Sequence, residues 1–178
     1  MINVVETPNP DTKKFVFDIV IVEKGSKEFK KKDGSIDLVD NLFNIGNIEL
    51  IFLDKNFISI RKSKDISWDN LQQKILQYLN ENIKQNFKSL IFEDENEFTD
   101  EVSIRIVEVL NEKIRPAVAM DGGDIRLKSF KNGVAEVMLK GACAGCPSST
   151  ITLKHGVERM IKHYVPEVNS VEAININD

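Results

Sequence analysis

The sequence predicts an α+β protein made of two small two-layer α/β domains. Three observations lead there: short alternating apolar runs set off by turn residues, apolar spacings of three and four that mark helices, and an acidic run, Glu93-Asp94-Glu95-Asn96-Glu97, between two self-contained patterns. With 178 residues, 42% apolar and 29% charged, each half has the material for its own core. The boundaries expected from these patterns are 1–87 for the first domain and 98–178 for the second.

In the first half, Thr7-Pro8-Asn9-Pro10-Asp11 reads as a rigid turn. Phe15, Phe17, Ile19 and Ile21 then alternate with Val16, Asp18, Val20 and Val22, a strand pattern that predicts deep burial. Residues 24–35, with two glycines and five lysines, read as a loop. Asp37 to Ile45 reads as a short helix on Leu38, Val39, Leu42 and Phe43, stopped by Gly46. The runs 48–53 and 57–62 flank Asp54-Lys55-Asn56 and predict a hairpin. Ser67 is the expected N-cap of a helix carrying Leu71, Ile75, Tyr78, Leu79 and Ile83, and Trp68 at its start is expected in the core or as a staple. This half holds no cysteine and no histidine, so no catalytic or ligating pattern is expected in it.

In the second half, Thr99 or Asp100 caps a helix with Val102, Ile106, Val107, Leu110 and Ile114 on one side, expected to end at Arg115 because Pro116 disfavours α geometry before it. Asp121-Gly122-Gly123-Asp124 reads as a turn in which glycines supply positive φ and the aspartates bond local N–H groups. Residues 125–130 and 134–139 are strands joined by Lys131-Asn132-Gly133, a hairpin signal. A long helix from Pro147, with Ile151, Leu153, Val157, Met160, Ile161 and Tyr164 as its stripe, ends before Pro166, and residues 168–174 form a last strand. The order is α-β-β-α-β, with helices on one face of a sheet. Gly156 inside the helix predicts a close helix-sheet contact, and His155 and His163 are expected at the surface or partly packed, with no chemistry assigned.

Both cysteines of the chain lie in Gly141-Ala142-Cys143-Ala144-Gly145-Cys146-Pro147-Ser148-Ser149, between a strand and the second helix of that half. Cys143 and Cys146, separated by two residues, suit one metal ion or one edge of an iron-sulfur cluster, but they are half of a four-ligand site. The simplest source of the other half is a second copy of the same loop across a two-fold axis. Pro147 at a first helical position makes Cys146 the expected N-cap, and the helix N-terminus is expected to favour thiolates and a negatively charged cluster. The small residues Gly141, Ala142, Ala144 and Gly145 are expected to let two loops approach, and the site is expected to be exposed. A thiol-disulfide oxidoreductase is the alternative from another class, though its usual setting is βαβ, and a structural zinc shared across a dimer is a third reading.

A net charge of -4 argues against a nucleic-acid partner, because phosphate binding needs a basic face. No run reaches the roughly 20 apolar residues of a membrane span, and the first residues show neither a signal-peptide nor an Arg-rich pattern. A cytoplasmic protein is the expectation, since two cysteines in one tight pair are not a secreted disulfide framework, and no enzymatic activity is expected of it.

The chain resembles the Nfu family of iron-sulfur cluster carriers. The second half is similar to its NifU-type domain through Arg115-Pro116, Asp121-Gly122-Gly123-Asp124, Asn132-Gly133, Gly141 to Ser149, Thr152-Leu153-Lys154-His155-Gly156 and Tyr164-Val165-Pro166-Glu167-Val168. The first half is similar to the family's N-terminal domain through Thr7-Pro8-Asn9-Pro10, Lys14-Phe15 and Trp68. The resemblance implies a carrier or scaffold that takes a [4Fe-4S] cluster on Cys143 and Cys146 of two chains, is a homodimer when loaded, and meets iron-sulfur assembly proteins and apo-protein recipients.

Overall fold

The computed structural model describes residues 1–84, 86–93 and 97–174, with all of their side chains except those of residues 147–150 and 152. The chain divides into two compact units, Met1–Asp94 and Glu95–Asp178. Both are α+β, as the patterning predicts.

The first unit contains β1 (Ile2–Glu6), β2 (Thr12–Phe17), β3 (Val22–Lys24), β4 (Lys27–Phe29), α1 (Asp37–Asn44), β5 (Ile48–Asp54), β6 (Phe57–Lys62), α2 (Trp68–Asn82) and β7 (Leu90–Ile91). Five strands form an antiparallel sheet in the order β1-β2-β6-β5-β4, while β3 and β7 pair parallel. Alternation places Phe15, Phe17, Ile51, Leu53, Ile58 and Ile60 in one core with Leu38, Val39 and Leu42 of α1 and Leu71, Ile75 and Leu79 of α2. Ser67 caps α2 by accepting the Asp69 N–H, and Trp68 donates its indole N–H to the Pro10 carbonyl at 3.1 Å, stapling the turn at residues 7–11 to that helix.

Three features of this unit differ from the sequence expectation. The strand expected over residues 15–22 breaks after Phe17, because Phe17 N–H turns to the Asn56 carbonyl while Ile21 and Val22 N–H both reach the Lys55 carbonyl. The loop expected over residues 24–35 carries β4, which pairs with β5. Leu90 and Ile91, expected between the domains, form β7 with β3 as partner.

The second unit contains α3 (Glu101–Val109), a π-type turn (Leu110–Ile114), α4 (Arg115–Met120), β8 (Gly123–Lys131), β9 (Val134–Gly141), α5 (Pro147–Tyr164) and β10 (Ser170–Ile174). Its sheet runs β10-β9-β8, with β8 and β9 antiparallel and β9 and β10 parallel. Asn132 and Gly133, at φ 50° and 79°, make the tight hairpin turn that their pairing signals. Ile125, Leu127, Ala135, Val137, Leu139 and Val171 of the sheet share a core with Ile106, Leu110 and Ile114 and with Val157 and Ile161 of α5.

The first helix of this unit does not end at Arg115. Asp100 caps α3 by accepting the Ser103 N–H at 2.8 Å, and the helical path continues past Pro116 to Met120. The π-type turn makes this possible: Arg115 N–H bonds the Leu110 carbonyl five residues back, so the path widens before a proline that has no N–H of its own to give. On α5 the buried face is narrower than the expected stripe. Val157 and Ile161 are buried and Leu153 half-buried, whereas Ile151 (66%), Met160 (38%) and Tyr164 (45%) are exposed. At about 100° per residue Ile151 lies roughly opposite Leu153.

Candidate functional site

The thiol loop begins where β9 ends. Gly141 pairs with Gly123 across the β8–β9 ladder, and Gly141 and Gly145 sit at φ 66° and 69°, a left-handed geometry that side chains resist. The small residues expected to allow two loops to approach thus include two that the loop's own backbone requires. Ala144 N–H closes a turn on the Gly141 carbonyl at 3.2 Å, and Ala142 N–H bonds the Gly122 carbonyl at 3.1 Å. Cys146 then takes the extended N-cap conformation (φ -86°, ψ 112°) with Pro147 as the first helical residue of α5, as the sequence predicts.

Neither thiol lies open to solvent. Cys143 is 6% exposed and belongs to the core of its unit, and Cys146 is 1% exposed. The expected exposure is corrected because Ala142 turns back onto Gly122 and draws the loop over the sheet end. Both residues are free cysteines with no disulfide. Burial, followed by the negative charges of Asp121, Cys146 and Asp124, pushes the Cys143 thiol up to about 12. The expected thiolate-favouring effect of the helix N-terminus is therefore overridden at Cys143. Cys146 is the residue that stands at the helix start.

The Asp121-Gly122-Gly123-Asp124 segment is more than a turn. Gly122 has the positive φ expected of it, 80°, but Gly123 and Asp124 already belong to β8. Gly123 is there for close approach: a Cβ at this position would lie 2.5 Å from Cys143 Sγ and 2.9 Å from the Lys140 carbonyl oxygen. Asp124 is 2% exposed, and the donors on its carboxylate are two arginine side chains, where local N–H groups are expected. Arg115 Nε donates to its Oδ1 at 2.7 Å, Arg115 Nη2 to Oδ2 at 3.3 Å, and Arg126 Nε to Oδ2 at 2.7 Å. Burial alone would raise this carboxyl, and the hydrogen bonds and charges of the two arginines outweigh it and hold the group below the usual carboxylate range.

This clamp is the main site feature missing from the sequence reading. Asp124 and Arg126 are two apart and so share one face of a strand, which is visible in the sequence. Arg115, nine residues back, arrives only because the helix continues past it. Among the described residues, no group of three or more His, Cys, Asp or Glu side chains forms a metal cage. His155 and His163 are exposed, the latter edge-on to Tyr164 at 4.8 Å, in keeping with the expectation. Gly156 does not make its expected close contact; a Cβ there would meet nothing within 4 Å, and nothing in the structure explains it.

These features define a class of protein: an α+β unit that presents two thiols from a strand-to-helix loop, in a chain whose other unit carries no cysteine. Residues 106–172 match the NifU-like domain family, and residues 2–86 match the family described as scaffold protein Nfu/NifU N terminal. The chain belongs to the Nfu/NifU family. It is 34% identical over 183 residues to the Drosophila persimilis protein named "NFU1 iron-sulfur cluster scaffold homolog, mitochondrial", covering 95% of this chain and 63% of that protein. It is 32% identical over 177 residues to the human protein of the same name, covering 95% and 70%. It is 33% identical over 180 residues to "NifU-like protein C1709.19c" of Schizosaccharomyces pombe, covering 93% and 69%. The chain spans less than two thirds of the length of the Drosophila persimilis relative.

Proposed function

We propose that this protein is an iron-sulfur cluster scaffold or carrier that holds a [4Fe-4S] cluster on Cys143 and Cys146 of two chains and hands it to apo-proteins. The observation that carries the reading is the pair of free thiols on one tight loop, in a chain whose described residues offer no third ligand beside them. Family membership and the relatives' names, which call those proteins iron-sulfur cluster scaffolds, supply the cargo. Two thiolates satisfy half of a cluster's four ligand positions, so the loaded form is a homodimer about a two-fold axis.

A cysteine ligates as thiolate, the iron taking the place of its proton, so cluster binding at Cys143 has to displace a proton that burial holds. The setting of the pair, after the β8–β9 hairpin and before α5, argues against the oxidoreductase alternative, whose usual setting is βαβ. No enzymatic step is assigned. The first unit, without cysteine or histidine, serves recognition of assembly partners or recipients. No described helix is long and apolar enough to cross a membrane, and free thiols call for a reducing compartment. The cytoplasm expected from the sequence meets that condition; the names of two of the relatives place those proteins in the mitochondrion.

Anaerobic reconstitution with iron and sulfide tests the reading. Cys143→Ala and Cys146→Ala are each expected to abolish cluster retention while the circular-dichroism spectrum stays unchanged. Full iron and sulfide content in either single variant would overturn the four-thiolate arrangement.

A further inference from the structure

We propose, building on the cluster-binding reading, that Asp124 is the positioning residue for the Cys143 thiol and acts through the first residues of β8. The carboxylate is gripped from two elements, by Arg115 at the junction of the π-type turn and α4 and by Arg126 on β8 itself. Arg115 is held in turn, its Nη1 donating to Asn111 Oδ1 at 2.8 Å. Immediately before Asp124, Gly123 presses against Cys143 Sγ and Gly122 receives the Ala142 N–H. The ladder ties the same residues to the loop from the other strand, Gly123 opposite Gly141 and Asp124 opposite Lys140. A continuous chain of contacts therefore runs from two guanidinium groups to the wall against which the thiol rests.

An apolar residue at position 124 would close this part of the sheet without desolvating three charges, and such a replacement is often neutral or stabilising for folding. What an apolar side chain does not supply is direction. The Arg115 fork across both oxygens and the Arg126 Nε on Oδ2 fix the position of the carboxylate, and the start of β8 with it. Gly123 tolerates little displacement: a shift toward the loop drives its backbone into Cys143 Sγ, and a shift away removes the wall and lets the thiol turn out. A clamp that merely stabilised the unit would act on both cysteines alike. A clamp that positions Cys143 acts on it selectively, because Cys146 is set by the start of α5.

The test is iodoacetamide labelling of the apo full-length chain, each cysteine followed separately by peptide mass mapping, in wild type and Asp124→Asn. The ratio of Cys143 to Cys146 labelling rates is expected to rise more than about fivefold in the variant as the wall beside Cys143 opens, with the far-ultraviolet circular dichroism unchanged. In the reconstituted variant, the visible circular-dichroism spectrum, which reports how the ligating sulfurs are held, is expected to change at an unchanged iron-to-sulfide ratio. Arg126→Gln, which removes one of the two guanidinium groups, is expected to move the ratio in the same direction and serves if Asp124→Asn does not fold. A smaller change in the ratio in a folded variant, or parallel acceleration of both cysteines, overturns the role of Asp124. Should wild-type protein take up no cluster, the cluster-binding reading fails while the labelling ratio still decides what Asp124 does.

Discussion

Gly123 is where a single methyl group does most to the site. Its Cβ position lies 2.5 Å from Cys143 Sγ and 2.9 Å from a backbone carbonyl oxygen, and the second neighbour has no freedom to swing aside. Gly123→Ala is therefore expected to destabilise the second unit by about 1–3 kcal/mol through overpacking and to lower cluster content, read by urea unfolding and iron analysis. Unaltered stability and loading would show that the loop yields. Asp124 gives a pH signature. Its folded-state pKa lies below the ordinary value of 3.8, so its contribution is fully present above that value and is lost as pH falls below 3.8 through the folded value. Asp124→Asn is expected to cost on the order of 3 kcal/mol at neutral pH, with the gap to wild type closing as the medium is acidified below about pH 4. A gap that stayed constant to pH 2 would mean the carboxylate is not held ionised by Arg115 and Arg126. At this scale Cys143 and Cys146 stood out in the sequence through their spacing. The close approach of Gly123 and the grip on Asp124 did not, because both depend on neighbours brought together by the β8–β9 pairing and by Arg115.

Elements were legible where their signals were local. The 48–62 hairpin, the Ser67 cap, the Asn132-Gly133 turn and the helix from Pro147 all rest on a few adjacent residues, and each forms as expected. Misreadings arose where a partner far away in sequence decides. The apparent strand over residues 15–22 splits because Asn56 and Lys55 take its later N–H groups, and Leu90-Ile91 become a strand only because β3 is there to pair. Pro116 signals a stop because a proline disfavours α geometry in the residue before it; the π-type turn before it supplies the widened path that lets α4 continue. Gly156 leads to a prediction at this scale. An exposed mid-helix glycine with open space at its Cβ position is replaceable, so Gly156→Ala is expected to stabilise α5 by up to about 1 kcal/mol, visible as a raised thermal midpoint, with loading unchanged. A loss of loading with the stability gain would mean that the bare helix surface at Gly156 meets another molecule when the cluster is bound.

For the whole molecule, each unit carries its own hydrophobic core, and the matched family domains fall one on each unit. We propose that the second domain, residues 98–178, works alone in cluster binding. A fragment of that range is expected to fold and to load a cluster as the full chain does, checked by circular dichroism and iron analysis, while transfer to recipients slows without residues 1–87. Loading that requires the first unit would place part of the site there. The proposed two-chain assembly rests on elimination, since two thiols need two more to complete a cluster's ligands. Native mass spectrometry of the reconstituted protein before and after chelation tests this most directly. The expected result is a loaded species of two chains and one [4Fe-4S] cluster that falls to monomer when the iron is removed. A full cluster on a single chain, or a dimer that persists unchanged in cluster-free Cys143→Ala protein at low concentration, would contradict it.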